Sequence, residues 1–308
     1  MTTDPTLLCA PRYILGEFTE DHSLVRHLYR RAEELRMPLK PELWGWGSIH
    51  RSERGLDDLA VESAATTLAA AAVVPSTVDA IVLACTRFPG GPETHGGLVR
   101  SILTRLRLDH AAFFGVTLNR CTNMLAALQL ADALVRAGAY RRVLVVTTDR
   151  VADEATRMES FALFSDGAAS CLVASTPVGN ECYAMLGCAT AQDAESLDWG
   201  NEINAGLARE VNHALLTPHG LTANDLHGLF HTNVYKPIAV LKEAQAGFRL
   251  DQLWTDNIAR VGHCFAADPL INLSDRAAAG GLVDGGLYQL AASVPGSRIG
   301  VLIQKLTA

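Results

Sequence analysis

Apolar strands alternate with amphipathic helices along this chain. The runs of residues 78–84 and 142–147 are almost continuously apolar, which is typical of strands buried on both faces. Helical periodicity covers residues 56–72 and 122–137, and Gly138 closes the second of these helices. Alternating strands and helices of this kind predict an α/β protein with mainly parallel sheets covered by helices.

The second half of the chain repeats the pattern of the first. A helix, a strand, a short cysteine-containing segment, a further helix and two apolar strands follow one another in both halves, so that Cys121 matches Cys264. We therefore expect two pseudo-symmetric halves, residues 1–176 and 177–308, that share a buried central layer. The alternative is one doubly wound domain whose two halves have a similar order of elements by coincidence.

The composition argues against several classes of protein. The 308 residues carry a formal net charge of −7, which argues against nonspecific nucleic-acid binding. Seven cysteines without regular spacing indicate reduced thiols in a cytoplasmic protein, and no metal site is expected. The N-terminus lacks a basic start and an apolar signal core, and the longest apolar run, residues 68–74, is too short to span a membrane.

Three residues form a candidate site. Cys121 lies where an apolar extended run, residues 113–118, gives way to a long helix. Unpaired backbone N–H groups at a helix start stabilise a thiolate, so this cysteine is a candidate nucleophile. His231 follows a predicted strand, His263 occupies the position that matches the Cys121 segment, and chemistry in α/β sheets gathers at strand ends. One thiol with two imidazoles suits thioester chemistry, whereas simple packing is the alternative for each residue alone.

Two neighbours of His263 have alternative roles. Asp268 either orients His263 or caps the next helix, and the cap is favoured because Asp268 directly precedes Pro269. Cys264 is a second candidate thiol. Adjacent side chains of an extended segment point to opposite sides, so we interpret Cys264 as a packing residue.

At these residues the chain resembles the thiolase superfamily, and within it β-ketoacyl-acyl-carrier-protein synthase III. The family has a cysteine at the start of a buried helix, a Phe-Gly-Asp-Gly-Ala stretch, a His-Gln-Ala-Asn stretch and a glycine-rich C-terminal turn. The similar stretches here are residues 119–122, 164–169, 231–234 and 294–300. The resemblance implies a thiolase-like five-layer αβαβα fold, a homodimer, and an oxyanion hole made by backbone N–H groups of Cys121 and Gly296.

The resemblance has a departure at the third catalytic position. The family carries an asparagine there, whereas this chain has His263 in the stretch Gly262-His263-Cys264. A Cys-His-His set resembles the elongating ketoacyl synthases, which condense with decarboxylation. Related acyltransferases with a changed third residue instead transfer the acyl group to an alcohol or an amine.

Family members take acyl groups from coenzyme A or from the phosphopantetheine arm of an acyl carrier protein. The resemblance therefore implies acyl-coenzyme A or an acyl carrier protein as the partner, and no bound cofactor. Basic and aromatic residues would contact the carrier or the pantetheine arm, although helix surface charge and core packing are alternatives for them. The matching positions are Trp44, Trp46, Arg51, Lys236, Lys242 and Arg249.

We expect Cys121 to accept an acyl group from a thioester. Decarboxylative Claisen condensation with a malonyl-type thioester is slightly favoured as the second step, because His231 and His263 remain as two hydrogen-bond donors. Transfer to an alcohol or amine is the second possibility. A non-catalytic partner subunit of a heterodimeric synthase is the third.

Overall fold

The structure is a computed structural model that describes residues 4–86, 92–197 and 204–307, and the side chains of residues 92–94 are not described. The strands in these ranges are β1 (Thr6–Leu15), β2 (Phe18–Asp21), β3 (Ser48–Arg51), β4 (Ala80–Ala84), β5 (Ala112–Val116), β6 (Arg142–Asp149), β7 (Gly167–Ala174), β8 (Cys182–Gln192), β9 (Gly228–Phe230), β10 (Leu287–Val294) and β11 (Ser297–Lys305). The helices are α1 (Leu28–Glu34), α2 (Pro41–Trp44), α3 (Leu56–Ala70), α4 (Pro92–Leu106), α5 (Asn123–Arg136), α6 (Ala205–Leu216), α7 (Lys236–Gln245), α8 (Asp256–Arg260) and α9 (Asp268–Ala278).

Nine of the described strands form one sheet in the order β5-β4-β6-β7-β1-β8-β11-β10-β9. Strands before residue 176 make up one end of this order and strands after it make up the other. The two ends join where β1 and β8 pair antiparallel, with Leu7 opposite Ala184. β4 is parallel to both β5 and β6, and β9 is parallel to β10. The predicted boundary at residue 176 stays a prediction.

The layers follow the five-layer αβαβα arrangement. α3 and α4 pack on the outer face of the first set of strands, and α6 packs on the outer face of the second. α5 and α9 lie between the two sets and bury the largest hydrophobic cluster, in which Leu128 and Ile271 contact residues of both halves. The expected shared central layer is therefore confirmed, and it explains why the start of α5 lies deep inside the chain.

The two halves differ at one edge of the sheet. In the first half β5 pairs with β4 along its whole length, whereas in the second half the corresponding position has a single bridge between Leu229 and Leu253. As a result, His263 does not end a strand as the sequence pattern predicts. It follows α8, and one parallel bridge to Phe164 holds its backbone.

A small N-terminal layer packs against the rest of the chain. β2 and β3 pair antiparallel, and α1 packs through Leu28 and Ala32 into a cluster that includes Trp46 and Tyr235. Within the described ranges, no helix combines the length and the apolar character that crossing a membrane requires.

Candidate active site

Cys121 lies in a 3-10 turn, Arg120–Thr122, that leads directly into α5. Its side chain is buried. Arg120 has a left-handed φ of 52°, an unfavourable conformation for a residue with a Cβ, and such strain is often found where a reactive side chain is displayed. Asn123 fixes the turn, because its side-chain oxygen accepts from the Asn119 N–H at 3.0 Å and its amide donates to the Cys85 carbonyl at 3.0 Å.

His263 connects the thiol to a carboxylate. Its Nε2 atom lies 3.2 Å from Cys121 Sγ, and its Nδ1 atom lies 2.5 Å from Asp268 Oδ2. His263 and Asp268 are fully buried. A carboxylate only accepts hydrogen bonds, so Nδ1 carries a proton and Nε2 exchanges one with the thiol. Successive hydrogen bonds therefore link a nucleophile, a base and an orienting carboxylate.

Asp268 is held for this role by two backbone donors. Oδ2 accepts from the Asn233 N–H at 2.6 Å, and Oδ1 accepts from the Cys264 N–H at 2.7 Å. The preference for Asp268 as a helix cap is wrong. Asp268 is the first residue of α9 after the cap residue Ala267, and its carboxylate turns back to His263 instead of binding the N–H groups of its own helix.

A turn between these two residues makes the contact possible. Residues Phe265–Ala267 form a 3-10 turn, and Phe265 has a left-handed φ of 50°. The turn brings the Asp268 carboxylate within hydrogen-bond distance of the His263 ring. Cys264 packs in the central hydrophobic cluster, as expected of a packing residue, and burial raises the pKa of its thiol well above the ordinary value.

Electrostatics favour the protonated ring of His263. Burial alone lowers the pKa of an imidazole, but the charges of Asp268 and Cys121 and their hydrogen bonds oppose this and raise the pKa of His263 to about 10. At neutral pH this raised pKa favours the imidazolium form of the ring.

A cavity of about 140 Å³ opens beside Cys121 and His263. Three aromatic rings contribute to its wall, and the ring of Phe164 lies 4.8 Å from the ring of His263. The other lining residues are Thr86, Arg120, Phe161, Thr232, Val234, Phe265, Ser293, Val294 and Pro295.

The Phe164 stretch that resembles the family motif has a structural basis. Phe164 packs against His263, whereas Asp166 faces away and is almost completely buried. The Asp166 carboxylate accepts from the N–H groups of Ser52 and Val151, both at 2.8 Å, and pairs with Arg157. This carboxylate therefore fixes the loops around the site and is not part of the reacting set.

His231 lies outside the described cavity lining. It follows β9 as predicted and is buried, and Nδ1 lies 2.8 Å from the Thr232 carbonyl. A carbonyl only accepts, so Nδ1 carries the proton and Nε2 is an acceptor in the neutral ring. Burial lowers the pKa of His231, while Glu243 raises it and Lys242 lowers it, and the net shift is downward. The structure therefore joins His263 to Cys121 by a hydrogen bond, whereas the predicted catalytic role of His231 stays a prediction.

A buried ion pair lies near His231 and acts on its pKa. Arg298 donates two hydrogen bonds to Glu243, at 2.6 and 2.9 Å, and both side chains are almost fully buried. Lys242 Nζ lies 3.4 Å from the same carboxylate, and Lys242 is only 3% exposed. Because a buried side chain does not meet a docking protein, the predicted carrier contact at Lys242 is wrong.

The other predicted contacts are divided between surface and core. Trp46 is buried beside Tyr235, which removes it from any carrier surface, whereas Trp44 is half-buried and donates to the Pro38 carbonyl. Arg51 is half-buried and pairs with acidic neighbours. Lys236 and Arg249 are exposed, and their predicted carrier contact stays a prediction.

The C-terminal turn reaches the cavity through Pro295. Gly296 has a left-handed φ of 67°, and a Cβ there would lie 2.6 Å from the Asp193 carbonyl oxygen, so only glycine fits. Gly296 is not among the described residues that line the cavity, and its role in an oxyanion hole stays a prediction. Pro295 does line the cavity and has no N–H group to offer.

Comparison with known proteins matches part of the sequence and the whole fold. A family model described as 3-oxoacyl-[acyl-carrier-protein] synthase III matches residues 117–193, the segment that contains Cys121. A β-ketoacyl-[acyl-carrier-protein] synthase III from Thermosynechococcus vestitus is 34% identical over 129 residues, which is 41% of this chain and 37% of the relative. Synthase III 4 of Streptomyces coelicolor is 32% identical over 129 residues, 41% of this chain and 39% of that one. The alignments thus span about two fifths of these relatives.

Solved structures match over nearly the full length. The 3-oxoacyl-(acyl carrier protein) synthase III of Pseudomonas aeruginosa superposes with a TM-score of 0.78 at 23% identity and covers 99% of both chains. The acyltransferase ChlB3 superposes with a TM-score of 0.84 at 18% identity and covers 98% of both chains. OleA of Xanthomonas campestris gives 0.81 at 16% identity over 99% of both. Residues 117–193 therefore resemble 3-oxoacyl-[acyl-carrier-protein] synthase III, and the whole chain has the thiolase-like fold that these solved structures share.

Proposed function

We propose that this chain is an acyltransferase that takes an acyl group from a coenzyme A or carrier-protein thioester onto Cys121 and passes it to the hydroxyl or amine of an acceptor. The observation that carries the proposal is the line of hydrogen bonds from Cys121 through His263 to Asp268. Such a line supplies a nucleophile and a reversible proton carrier.

The first step transfers the acyl group to the enzyme. The Cys121 thiolate, paired with the His263 imidazolium, attacks the thioester carbonyl, and the bond between the carbonyl carbon and the donor sulfur breaks. The departing thiolate takes the Nε2 proton of His263. The products are acylated Cys121, a free thiol and a neutral imidazole, and Asp268 stays a carboxylate that holds the ring by Nδ1.

The second step uses the neutral ring. With Cys121 acylated, the negative charge that helped to raise the pKa of His263 is gone, so Nε2 is free to act as a base. It takes the proton of the acceptor while the acceptor oxygen or nitrogen attacks the acyl carbonyl. Cys121 then leaves as a thiolate beside the imidazolium, which restores the starting state. No cofactor enters this sequence.

Condensation with decarboxylation is less well supported by the geometry. In the condensing mechanism expected for this chain, the two imidazoles donate hydrogen bonds to the malonyl thioester carbonyl. His231 lies outside the described cavity lining, and its neutral ring presents an acceptor at Nε2. His263 has both nitrogens engaged. For the second step we therefore favour acyl transfer to a hydroxyl or amine over decarboxylative condensation.

Intact-protein mass spectrometry tests the first step. Incubation with acetyl-, butyryl- or malonyl-coenzyme A is expected to add one acyl mass to the wild type and none to Cys121→Ala. Hydroxyl and amine acceptors are then added to the labelled protein, and the acyl product is identified. Carbon dioxide released from the malonyl donor, with formation of a β-ketoacyl product, would contradict transfer and support condensation.

We also propose a homodimer. β5 lies at one edge of the nine-stranded sheet, where it pairs only with β4 among the described strands. Phe113 on this strand is 38% exposed, and Leu118 just after it is 93% exposed. A second copy placed against this edge would pair its backbone groups and cover both side chains. Light scattering after size-exclusion chromatography measures the state, and a monomer would contradict the proposal.

A further inference from the structure

We infer that the hydroxyl of Thr232 donates a hydrogen bond to the oxyanion that forms when Cys121 attacks the thioester. The inference rests on the proposed function and names a catalytic residue for it. Thr232 follows His231 and is 2% exposed, and it lines the same cavity as Cys121 and His263.

The Thr232 hydroxyl is an unused donor. Its Oγ1 atom is buried without a hydrogen-bond partner among the described residues. The carbonyl of the same residue is occupied, because it accepts from the His231 ring at 2.8 Å and from the Val234 N–H at 2.9 Å. Burying an unpaired hydroxyl costs free energy, so a native protein keeps one where a ligand completes the bond.

The other polar side chains on the described cavity wall each take part in at least one hydrogen bond. The Thr86 hydroxyl contacts Asp149 at 3.1 Å and the Arg120 carbonyl at 3.3 Å. Ser293 accepts from Arg298 at 3.0 Å, and Arg120 donates to the Leu197 carbonyl at 3.0 Å. His263 is held between Asp268 and Cys121.

A side-chain donor is needed at this wall. Acyl transfer passes through a tetrahedral intermediate whose oxygen is stabilised by pre-positioned donors. Backbone N–H groups at the start of α5 supply one side. On the C-terminal turn, Val294 and Pro295 line the cavity, and Pro295 has no N–H to donate, so the Thr232 hydroxyl supplies a donor that the proline does not.

Thr232→Val removes the hydroxyl and keeps the shape, whereas Thr232→Ser keeps the hydroxyl. With acetyl-coenzyme A as the probe, the valine variant is expected to lose about 10²- to 10³-fold in the single-turnover rate of Cys121 acylation, with little change in the donor concentration at half-maximal rate. The serine variant is expected to stay within about tenfold of the wild type. Thr190→Val, which alters an exposed threonine, is the matched control and is expected to behave as the wild type.

Alkylation of Cys121 by iodoacetamide separates this role from a structural one, because displacement of iodide forms no oxyanion. Wild type and Thr232→Val are expected to alkylate at equal rates, and the valine variant is expected to melt at the same temperature or higher. Equal acylation of wild type and Thr232→Val, slower alkylation of the valine variant, or its failure to fold would each overturn the inference. A wild type that is alkylated but never acylated by any of the thioesters would reject the proposed function itself.

Discussion

Cys121 and His263 lie 142 positions apart in the chain, yet Sγ of one is 3.2 Å from Nε2 of the other. The thiol lies in the turn just before the central helix α5 of the first half, and the imidazole precedes the counterpart helix α9 in the second. Because the halves share one buried layer, small shifts of either helix would change this distance. The site is therefore a property of the interface between the halves.

Asp268→Asn is expected to lower the pKa of His263 and to slow both acylation and transfer by about 10²- to 10⁴-fold. The amide cannot compensate an imidazolium, and it permits the wrong tautomer of the ring. Single-turnover acylation and nitrogen NMR of the labelled histidine measure the two effects. Asp256→Asn, at an exposed position on α8, is the control; equal rates in the wild type and Asp268→Asn would contradict the assigned role.

His231→Gln and His263→Gln are expected to differ sharply. The second variant loses the proton carrier beside Cys121 and should fall by about 10²-fold or more in acylation. The first alters a ring that does not line the described cavity, so acylation should remain within about tenfold. Stopped-flow detection of the released thiol gives both rates. If His231→Gln proves as slow as His263→Gln, both imidazoles act in the reaction and the condensing mechanism regains support.

Much of the architecture could be predicted from the sequence. The continuous apolar runs at β4 and β6, and the repeated order of elements, indicate two matched halves because burial on both faces of a strand leaves that pattern. The shortened edge of the second half was not predictable in this way. The segment at Leu253 makes one isolated bridge instead of a fully paired edge strand. The difference lies in backbone hydrogen bonding, which amino-acid composition does not reveal.

The site could be predicted only in part. Cys121 and His263 stand out because each begins a segment that leads into a buried helix. The sequence favours Asp268 as a helix cap, because an aspartate before a proline looks the same whether it caps a helix or orients a histidine. The left-handed backbone of Phe265 turns the Asp268 carboxylate back toward His263, which gives it the second role. The downward pKa shift of His231 comes first from its burial, which depends on packing by residues remote in sequence, so no local pattern reports it.

Stability is expected to fall at alkaline pH through His263. Its folded-state pKa, about 10, lies above the unfolded value of about 6.5. The resulting stabilisation is complete below about pH 6.5 and is lost as pH rises through about 10. Urea unfolding of wild type and His263→Gln at about pH 6 and about pH 10 measures it. The wild type should lose more free energy of unfolding than the variant between the two conditions, and equal losses would show that the ring is not held as an imidazolium.

Glu243→Gln is expected to destabilise the fold by about 3–5 kcal/mol, because it leaves the buried guanidinium of Arg298 without a compensating charge. Burial raises the pKa of Glu243, but Arg298 and Lys242 lower it to about 2, so the carboxylate is charged at neutral pH. Asp251→Asn, which breaks the exposed pair with Arg249, is the control and should cost less than about 1 kcal/mol. Lys242 pairs with the same carboxylate, so removing all three charges in Glu243→Met/Arg298→Met/Lys242→Met should recover much of the loss. Urea denaturation gives all four free energies, and a triple variant less stable than Glu243→Gln would show that the ion pairs contribute more than mutual neutralisation.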